Sequence, residues 1–263
     1  MTSTRSPRVQ AVRRLHRRSA RAAERRFVVE GPQAVREALA VGLLELFTTG
    51  HATDLEDAAR TSGTAVIRVS PAVLAAMAET IAPQGVLGVA ALLDTSPDRL
   101  PTTPRLVVVL DAVSDPGNAG TIIRTADAAG ADAVVLTEGS TDPHGGKCVR
   151  ASAGSLWHLP VVTGVPVLAA IDMLRARGLS VLATTGDGDD DLDLLADNGD
   201  LAAPTAWLFG TEAHGLGPKA LAAADRRVRV PLHGRAESLN LAAAAAVCLY
   251  ATAKAQRAHF LPT

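Results

Sequence analysis

Three polar segments in the second half of the chain carry residue types that can bind or orient a substrate. The first is DPGNAGTIIRTA at positions 115–126, which follows an apolar run and opens a predicted helix. Open α/β sheets bind ligands where a strand gives way to a helix. Asn118 and Arg124 are therefore candidates for ligand contact, although Asn118 could equally cap the helix and Arg124 could equally form a structural salt bridge.

The second and third segments lie further along the chain. In LFGTEAHGLGP, positions 208–218, an apolar strand runs into a glycine-rich loop whose backbone can approach a ligand closely. This loop is neither a phosphate-binding loop nor a dinucleotide-binding G-x-G-x-x-G motif, because position 220 is alanine. In VPLHGRAESLNLA, positions 230–242, Ser238 and Asn240 precede an apolar helix and could serve simply as its N-cap.

Strand-like and helix-like segments must position these polar residues, and their order along the chain predicts a parallel sheet covered by helices on both faces. Leu106–Leu110 is a continuous apolar run, as in a buried parallel strand. Further strands are predicted at Ala133–Leu136, Leu179–Ala183, Ala206–Phe209 and Arg227–Val230. A helix over about Ala119–Ala129 follows the first strand, and an Ala-rich helix over Leu239–Lys254 ends the fold. The seven aspartates from Asp187 to Asp200 indicate a solvated loop.

The first half of the chain predicts a small separate α/β domain. Helix-like and strand-like pieces alternate over residues 1–93, beginning with one basic helix over Pro7–Arg26. Residues 94–104 contain three prolines among small polar residues, which is typical of a semi-extended linker. The predicted organisation is an α/β domain over 1–93, a linker over 94–104 and an α/β domain with a parallel sheet over 105–263.

Positive charge is concentrated at the N-terminus. Residues 1–26 contain nine arginines and one acidic residue, Glu24, giving a formal charge of +8, whereas the whole chain has a net charge of −1. Guanidinium groups pair with phosphate in a two-pronged geometry, so this segment suits phosphate contacts. The alternative is a solvated Arg-rich helix without a partner. Residues 1–26 lack aromatic residues, so stacking on single-stranded bases is not favoured there.

The composition indicates a folded intracellular protein. The chain is 48% hydrophobic and 20% charged, and no apolar run approaches the roughly 18 residues of a membrane span. Cys148 and Cys248 have no paired spacing, which favours a reducing compartment over a disulfide framework or a thiolate metal site. The histidines lack metal-ligand spacing, and a G-x-S-x-G hydrolase motif is absent. We therefore expect a cytoplasmic protein with neither a metal nor a membrane partner.

In their order and spacing, the three polar segments resemble the SpoU (TrmH-type) class of the SPOUT methyltransferase superfamily. The family pattern is approximately D-P-x-N-x-G-x-I-x-R-T-A, then G-N-E-x-x-G-L, then I-P-M-x-G-x-x-x-S-L-N-V, and the match covers residues 105–263. KCVRASAGS at 147–155 is similar to the family's K-x-V-R-A-S-x-G stretch. RRLHRR at 13–18 and FVVEGP at 27–32 resemble the ribosomal-protein-like substrate-binding domain common in this class. The chain departs from the pattern at Thr211, Leu232 and Leu241, where the family usually has Asn, Met and Val.

The resemblance implies a C-terminal catalytic domain with a deep trefoil knot, which works as a homodimer with its active site at the dimer interface. The implied reaction is transfer of a methyl group from S-adenosylmethionine to a ribose 2′-hydroxyl in structured RNA. The residues implied to contact this cofactor are Gly210, Thr211, Val230, Leu232, Ser238 and Leu239.

The resemblance also implies the catalytic residues, which are Asn118, Arg124, Glu212, Ser238 and Asn240. Because guanidinium is effectively always protonated, we expect Arg124 to hold a phosphate and favour the developing alkoxide rather than to act as a base. The other four residues would orient the ribose and Arg124. The residues expected to bind RNA are Arg8, Arg13, Arg14, Arg17, Arg18, Arg21 and Arg150.

Three alternatives for the substrate and role stay open. Ribosomal RNA is preferred over transfer RNA because minimal transfer-RNA members of the class often lack an N-terminal domain. A methyltransferase that confers antibiotic resistance is a special case of the main hypothesis. A non-catalytic RNA-binding or ribosome-assembly protein is disfavoured by the joint presence of the catalytic residues.

Overall fold

The chain forms two compact units in the computed structural model, which describes residues 1–93 and 95–258. The first unit comprises Met1–Leu93 and Asp142–Trp157, and the second comprises Asp94–Thr141 and His158–Thr263. Residues 142–157 thus pack with the first unit, although the sequence placed them in the catalytic domain. Position 94 of the predicted linker and positions 259–263 of the predicted catalytic domain lie outside the described residues.

Both units are built from helices and strands. The helices are α1 (Pro7–Arg14), α2 (Arg18–Glu24), α3 (Pro32–Val41), α4 (Thr53–Thr61), α5 (Pro71–Met77), α6 (Pro116–Ala129), α7 (Gly146–Ser152), α8 (Val167–Arg175), α9 (Leu192–Asp197), α10 (Pro218–Ala223) and α11 (Leu241–Ala258). The strands are β1 (Arg26–Glu30), β2 (Leu43–Thr48), β3 (Ala65–Arg68), β4 (Val86–Ala91), β5 (Leu106–Leu110), β6 (Ala133–Thr137), β7 (Val161–Val165), β8 (Ser180–Thr184), β9 (Asp190–Asp191), β10 (Thr205–Phe209) and β11 (Arg226–Arg229). None of the described helices is both long and apolar enough to cross a bilayer.

A four-stranded sheet lies at the centre of the first unit, in the order β1-β4-β2-β3. β4 is antiparallel to β1 and β2, whereas β2 and β3 are parallel. Val9 and Val12 of α1 are buried in the same core cluster as Phe47 of β2. The basic N-terminal segment is therefore anchored by an apolar face, which leaves most of its arginines on the outside.

The single basic helix predicted over Pro7–Arg26 is wrong, because the structure has two helices there, α1 and α2. The break falls at Leu15, whose side chain is buried in the core, and at His16. The His16 Nε2 atom lies 2.7 Å from the Met77 carbonyl oxygen, at the end of α5. These two contacts hold the chain in a turn that a continuous helix could not make.

Helix α7 and its flanking residues join the first unit through ion pairs, one of them buried, and through a ring cluster. The Arg21 guanidinium contacts the Asp142 carboxylate at 2.6 Å, and both side chains are largely buried. The Phe27 ring lies 4.9 Å from the His144 ring and 5.9 Å from the Trp157 ring, centroid to centroid. These contacts explain why a segment between two strands of the second unit packs elsewhere.

The second unit is built on a seven-stranded sheet in the order β7-β6-β5-β10-β8-β11-β9. Every neighbouring pair is parallel. All residues of β5, β6 and β10 are buried, as expected for parallel strands covered on both faces. The predicted α/β architecture with a parallel sheet is confirmed.

The acidic segment from Asp187 to Asp200 is not the solvated loop that its composition indicates. It contains β9, α9 and a short 3₁₀ turn. Its aspartates pair with the arginines of the neighbouring strand β11, at 2.6 Å for Asp189–Arg227, 3.4 Å for Asp190–Arg226, 3.2 Å for Asp191–Arg229 and 2.8 Å for Asp200–Arg226. Opposite charges on adjacent strands therefore order this edge of the sheet.

Candidate active site

Two of the polar segments leave the sheet side by side. β5 and β10 are adjacent parallel strands, with Leu110 paired to Phe209, so the segments that follow them start at the same edge. After β5 the backbone turns at Ala112, whose φ of 53° lies in the left-handed region. The Ala112 N–H donates to the Thr137 hydroxyl at 3.1 Å. This turn leads the chain into α6.

Helix α6 is capped by Asp115 and not by Asn118. The Asp115 carboxylate accepts a hydrogen bond from the Gly117 N–H at 2.9 Å, and Pro116 occupies the first helical position. The capping interpretation of Asn118 is therefore wrong. Its side chain is available for contacts with other segments.

Asn118 joins all three polar segments. Its Nδ2 donates to Glu212 Oε1 at 3.1 Å, and its Oδ1 accepts from Asn240 Nδ2 at 3.2 Å. Glu212 also accepts from the Asp115 N–H at 3.4 Å and from the Ser114 hydroxyl at 3.5 Å. The structure thus brings together three predicted catalytic residues that are 94 and 122 positions apart.

The Glu212 carboxylate is held in its ionised form. Burial raises its pKa, but hydrogen bonds from Asn118 and from nearby backbone N–H groups lower the pKa by more than burial raises it. The pKa of Glu212 therefore lies below its ordinary value. An ionised carboxylate only accepts hydrogen bonds. It therefore directs the Asn118 amino group toward itself and the Asn118 carbonyl oxygen toward Asn240, which fixes the orientation of that amide.

Ser114 and Asp115 also contact this site, although neither was predicted to do so. Asp115 stands directly before Pro116, and that pairing signals a helix start, so the cap could have been predicted. The contact of its N–H with Glu212 could not, because Glu212 lies 97 positions away. Nothing in the local sequence marks Ser114.

The glycine-rich loop after β10 closes on itself tightly. The Thr211 N–H donates to the Gly215 carbonyl at 3.0 Å, and the Gly215 N–H donates to the Thr211 carbonyl at 2.9 Å. A Cβ atom at Gly210 would lie 2.2 Å from the Gly215 carbonyl carbon, so only glycine fits. The Thr211 hydroxyl accepts from the His214 N–H at 3.1 Å, which gives a local role to this departure from the family pattern.

The segment 230–239 between β11 and α11 has an exposed and unpaired backbone. Its main-chain N–H and C=O groups make no hydrogen bonds to other residues in the described part of the chain. Leu232 and Leu239 are both exposed on it. Such a segment can bind a ligand through its backbone, and the bond from Asn240 to Asn118 ties its end to the network around Glu212.

Two of the predicted catalytic residues lie outside this network. Arg124 follows Asn118 by six residues and so points about 120° away around the axis of α6. Arg124 and Ser238 are exposed, and neither side chain has a hydrogen-bond or ion-pair partner among residues 1–93 and 95–258. In the same part of the chain, no group of three His, Cys, Asp or Glu side chains is arranged to hold a metal ion.

Comparison with known proteins identifies the family. A sequence model of the SpoU rRNA methylase family matches residues 105–250. The chain belongs to that family. A model of the MRM3-like substrate binding domain matches residues 6–88, so the predicted substrate-binding domain of this SpoU protein is confirmed as well. The trefoil knot that the resemblance implies stays a prediction.

Relatives and solved structures of similar proteins match this SpoU chain over nearly its whole length. The 23S rRNA (guanosine(2553)-2′-O)-methyltransferase RlmP of Bacillus subtilis is 35% identical over 94% of this chain and 96% of its own. The SpoU methyltransferase AviRb from Streptomyces viridochromogenes, in complex with AdoMet, is 31% identical with a TM-score of 0.87, covering 97% of this chain and 99% of its own. The AdoMet-bound rRNA methyltransferase from Sinorhizobium meliloti is 33% identical with a TM-score of 0.86, covering 100% and 98%.

The arginines predicted to bind RNA in this SpoU protein differ in their availability. Arg13, Arg17 and Arg18 are exposed and have no side-chain partner among the described residues. Arg8 and Arg14 are exposed but pair with Glu45 at 3.2 Å and Glu24 at 3.3 Å, respectively. Arg150, on α7, lies 3.6 Å from the Glu30 carboxylate and 3.5 Å from the Glu79 carboxylate.

The prediction that Arg21 binds RNA is wrong, because this side chain cannot reach RNA in this fold. Its side chain is buried, and its guanidinium donates to Asp142, to the Leu15 carbonyl at 2.9 Å and to the His16 carbonyl at 2.9 Å. All of these acceptors lie within the first unit. Arg21 therefore holds the turn between α1 and α2, and the sequence could not distinguish it from its exposed neighbours.

Proposed function

We propose that this SpoU protein transfers a methyl group from S-adenosylmethionine to a ribose 2′-hydroxyl of structured RNA, and that the RNA is ribosomal. The observation that carries the proposal is the hydrogen-bonded chain Glu212–Asn118–Asn240, which links the three family segments at one sheet edge. A relative that matches 94% of this chain is named as a 23S rRNA methyltransferase, which supports the substrate. The compartment we propose is the cytoplasm, consistent with Cys148 and Cys248 forming no disulfide bond.

The residues of the chain fit the proposed cofactor. When bound, S-adenosylmethionine supplies a methyl group carried on a positively charged sulfur. The unpaired backbone of 230–239 offers hydrogen-bond donors and acceptors to its polar groups, and the exposed leucines offer apolar contact to its adenine ring. The residues proposed to contact it are Gly210, Thr211, Val230, Leu232, Ser238 and Leu239. The similar AviRb structure contains AdoMet, which supports this choice.

Methyl transfer needs the two reactants in line and a hydroxyl that gives up its proton, so positioning is a large part of the catalysis. Arg124 has no partner in the described chain and carries a permanent charge. We assign it to the phosphate next to the reactive ribose and to the developing alkoxide, which it stabilises electrostatically. Asn118, Glu212, Ser238 and Asn240 orient the ribose and Arg124.

The assembly that we propose for this function is a homodimer. Among residues 1–93 and 95–258, the side chains of Arg124 and Ser238 have no partner, as expected if a second copy completes the site. Helix α11 turns one face toward α6 and the sheet and leaves Val247 and Tyr250 exposed on another. A second copy of the chain would cover that exposed face.

The test measures transfer of labelled methyl from S-adenosylmethionine to ribosomal and transfer RNA, separated and then digested to nucleosides. We expect a 2′-O-methylated nucleoside from ribosomal RNA. Arg124→Ala should abolish transfer while cofactor binding, measured by calorimetry, stays intact. Arg99→Ala, an exposed arginine elsewhere in the second unit, is the matched control and should behave as wild type.

Other outcomes of this test would contradict the proposal in distinct ways. Product only in transfer RNA would keep the reaction and overturn the substrate. Normal turnover by Arg124→Ala would overturn the role of that side chain. A wild-type protein that neither binds the cofactor nor transfers methyl would favour the non-catalytic RNA-binding alternative.

A further inference from the structure

We propose that the first unit contains a separate subsite for RNA, a cleft that takes one unpaired base of the substrate. This inference rests on the proposed function, because it requires RNA as the substrate. The cleft has a volume of about 340 Å³, within the range of small-ligand sites. It lies between the start of α3, Arg150 on α7 and residues 78–85, which we call the cleft loop.

The cleft loop is held at both ends. The Glu30 carboxylate is nearly fully buried and accepts hydrogen bonds from the Glu79 N–H at 2.7 Å, the Thr80 N–H at 3.3 Å and the Thr80 hydroxyl at 2.8 Å. At the other end, the Gly85 carbonyl accepts from the Thr49 N–H at 3.0 Å and from its hydroxyl at 3.3 Å. The loop is therefore preformed, so binding costs little conformational entropy there.

The cleft loop presents a fully exposed aliphatic side chain. Ile81 has a relative exposure of 104%, higher than any other large hydrophobic residue in the described chain. A single exposed aliphatic residue is common on protein surfaces. This one, however, stands on an anchored loop beside a cleft. Isoleucine is among the side chains that act as wedges between bases and hold a step unstacked.

The walls of the cleft suit a base better than a phosphate. An unstacked base needs contact on its flat faces and hydrogen-bonding groups at its edges. Pro32 and Pro83 provide the apolar contact, Gln84 provides an amide, and the Arg150 guanidinium provides a plane on which a base can stack. The Glu30 carboxylate lies in the same wall, which disfavours entry of a phosphate by like-charge repulsion.

The basic segment adjoins this cleft. Glu79, which anchors the cleft loop, pairs with the His16 ring at 3.2 Å. His16 directly precedes Arg17 and Arg18, both exposed and without side-chain partners in the part of the chain that the structure describes. Phosphates on either side of a captured base would therefore meet positive charge, whereas the base itself enters the cleft.

The test compares Ile81→Asp with Val41→Asp in the full-length protein, using ribosomal RNA as the methyl acceptor. Val41 is also an exposed aliphatic residue of the first unit, at 63%, but it lies at the far end of α3 from the cleft. We expect Ile81→Asp to raise KM for RNA about tenfold, because the variant loses the apolar wedge against the base and brings a negative charge close to the RNA. The kcat and the affinity for S-adenosylmethionine should stay at wild-type values, as should all three quantities in Val41→Asp.

The outcomes separate this inference from the proposed function. No methyl transfer by the wild type would mean that the proposed function fails. An active wild type in which Ile81→Asp and Val41→Asp have the same KM would overturn the subsite alone. A fall in kcat at unchanged KM in Ile81→Asp would also overturn it, because it would indicate distortion rather than loss of an RNA contact. Gln84→Ala provides a second variant and should raise KM in the same direction.

Discussion

Asn240 shows how one side chain can start a helix and organise a site at the same time. Its Oδ1 accepts from the N–H groups of Ala242 at 2.9 Å and Ala243 at 3.3 Å, at the beginning of α11. Its Nδ2 donates to Asn118. The helix cap and the contact with Asn118 are therefore compatible, because an asparagine amide has an acceptor at one end and a donor at the other.

At Gly210 the geometry predicts a local defect in Gly210→Ala. The added methyl group would overlap the Gly215 carbonyl, so the 211–215 loop must open. Overpacking of this kind costs about 1–3 kcal/mol, and we expect the affinity for S-adenosylmethionine to fall at least about tenfold in calorimetry. Gly217→Ala is the matched control, because its φ is −67° and no atom would lie within 4 Å of the new Cβ. Equal affinities in the two variants would contradict the role of the closed loop.

Among the elements, the turn between α1 and α2 depends on the buried pair Arg21–Asp142. Removing one partner of a buried ion pair leaves the other unpaired, so Arg21→Ala should lower the free energy of unfolding by about 3 kcal/mol. Arg14→Ala removes an exposed ion pair from the preceding helix and should cost less than about 1 kcal/mol. Urea denaturation measures the free energy of unfolding of both variants. Equal decreases in the two variants would contradict the prediction that the buried ion pair contributes more than the exposed one.

The stability that the Arg21–Asp142 pair contributes also depends on pH. Burial raises the Asp142 pKa, but hydrogen bonds from His144 and Arg21 lower it more, so the folded-state pKa lies well below the ordinary 3.8. Its stabilising contribution is therefore complete above the unfolded-state pKa and is lost as the pH falls below it. The difference in stability between wild type and Arg21→Ala should persist at pH 5 and shrink in stronger acid.

The helices and strands also show which structural features can be predicted from the sequence. Leu106–Leu110 was predicted with correct bounds, because a strand buried on both faces is apolar throughout. The edge strand Val161–Val165 was missed, since Thr163 and Gly164 interrupt its apolar pattern. The break between α1 and α2 and the order of the acidic segment depend on partners far along the chain. Local patterns carry no information about such partners.

The candidate site, likewise, could be predicted only in part from the sequence. Its family segments name Asn118, Glu212 and Asn240 correctly as residues that lie together. Their mutual hydrogen bonds depend on the adjacency of β5 and β10, which the order of strands along the chain does not reveal. Arg124 and Ser238 remain apart from the network within one chain, so their roles stay predictions.

For the whole molecule, the unpaired residues of the site and the exposed face of α11 favour assembly into a dimer. Ala243, Val247, Tyr250 and Lys254 are exposed at spacings of three and four residues, so they form one stripe along the helix. The opposite face buries Ala245, Cys248, Leu249 and Thr252. Since the buried face already packs within the chain, the exposed stripe is the surface left for a second copy.

The proposed dimer predicts the behaviour of the double variant Val247→Glu/Tyr250→Glu. Both residues are about half exposed, at 43% and 54%, so charge there should spare the fold of one chain but disrupt an apolar contact between two. We expect light scattering to show a dimer for wild type and a monomer for the variant, with methyl transfer lost because the monomer lacks the groups that complete the site. Leu194→Glu, at an exposed leucine of α9 with 59% exposure, is the matched control and should remain dimeric and active. A fully active monomeric double variant would show that one chain holds a complete site, and Arg124 would then have to reach the substrate from within its own chain.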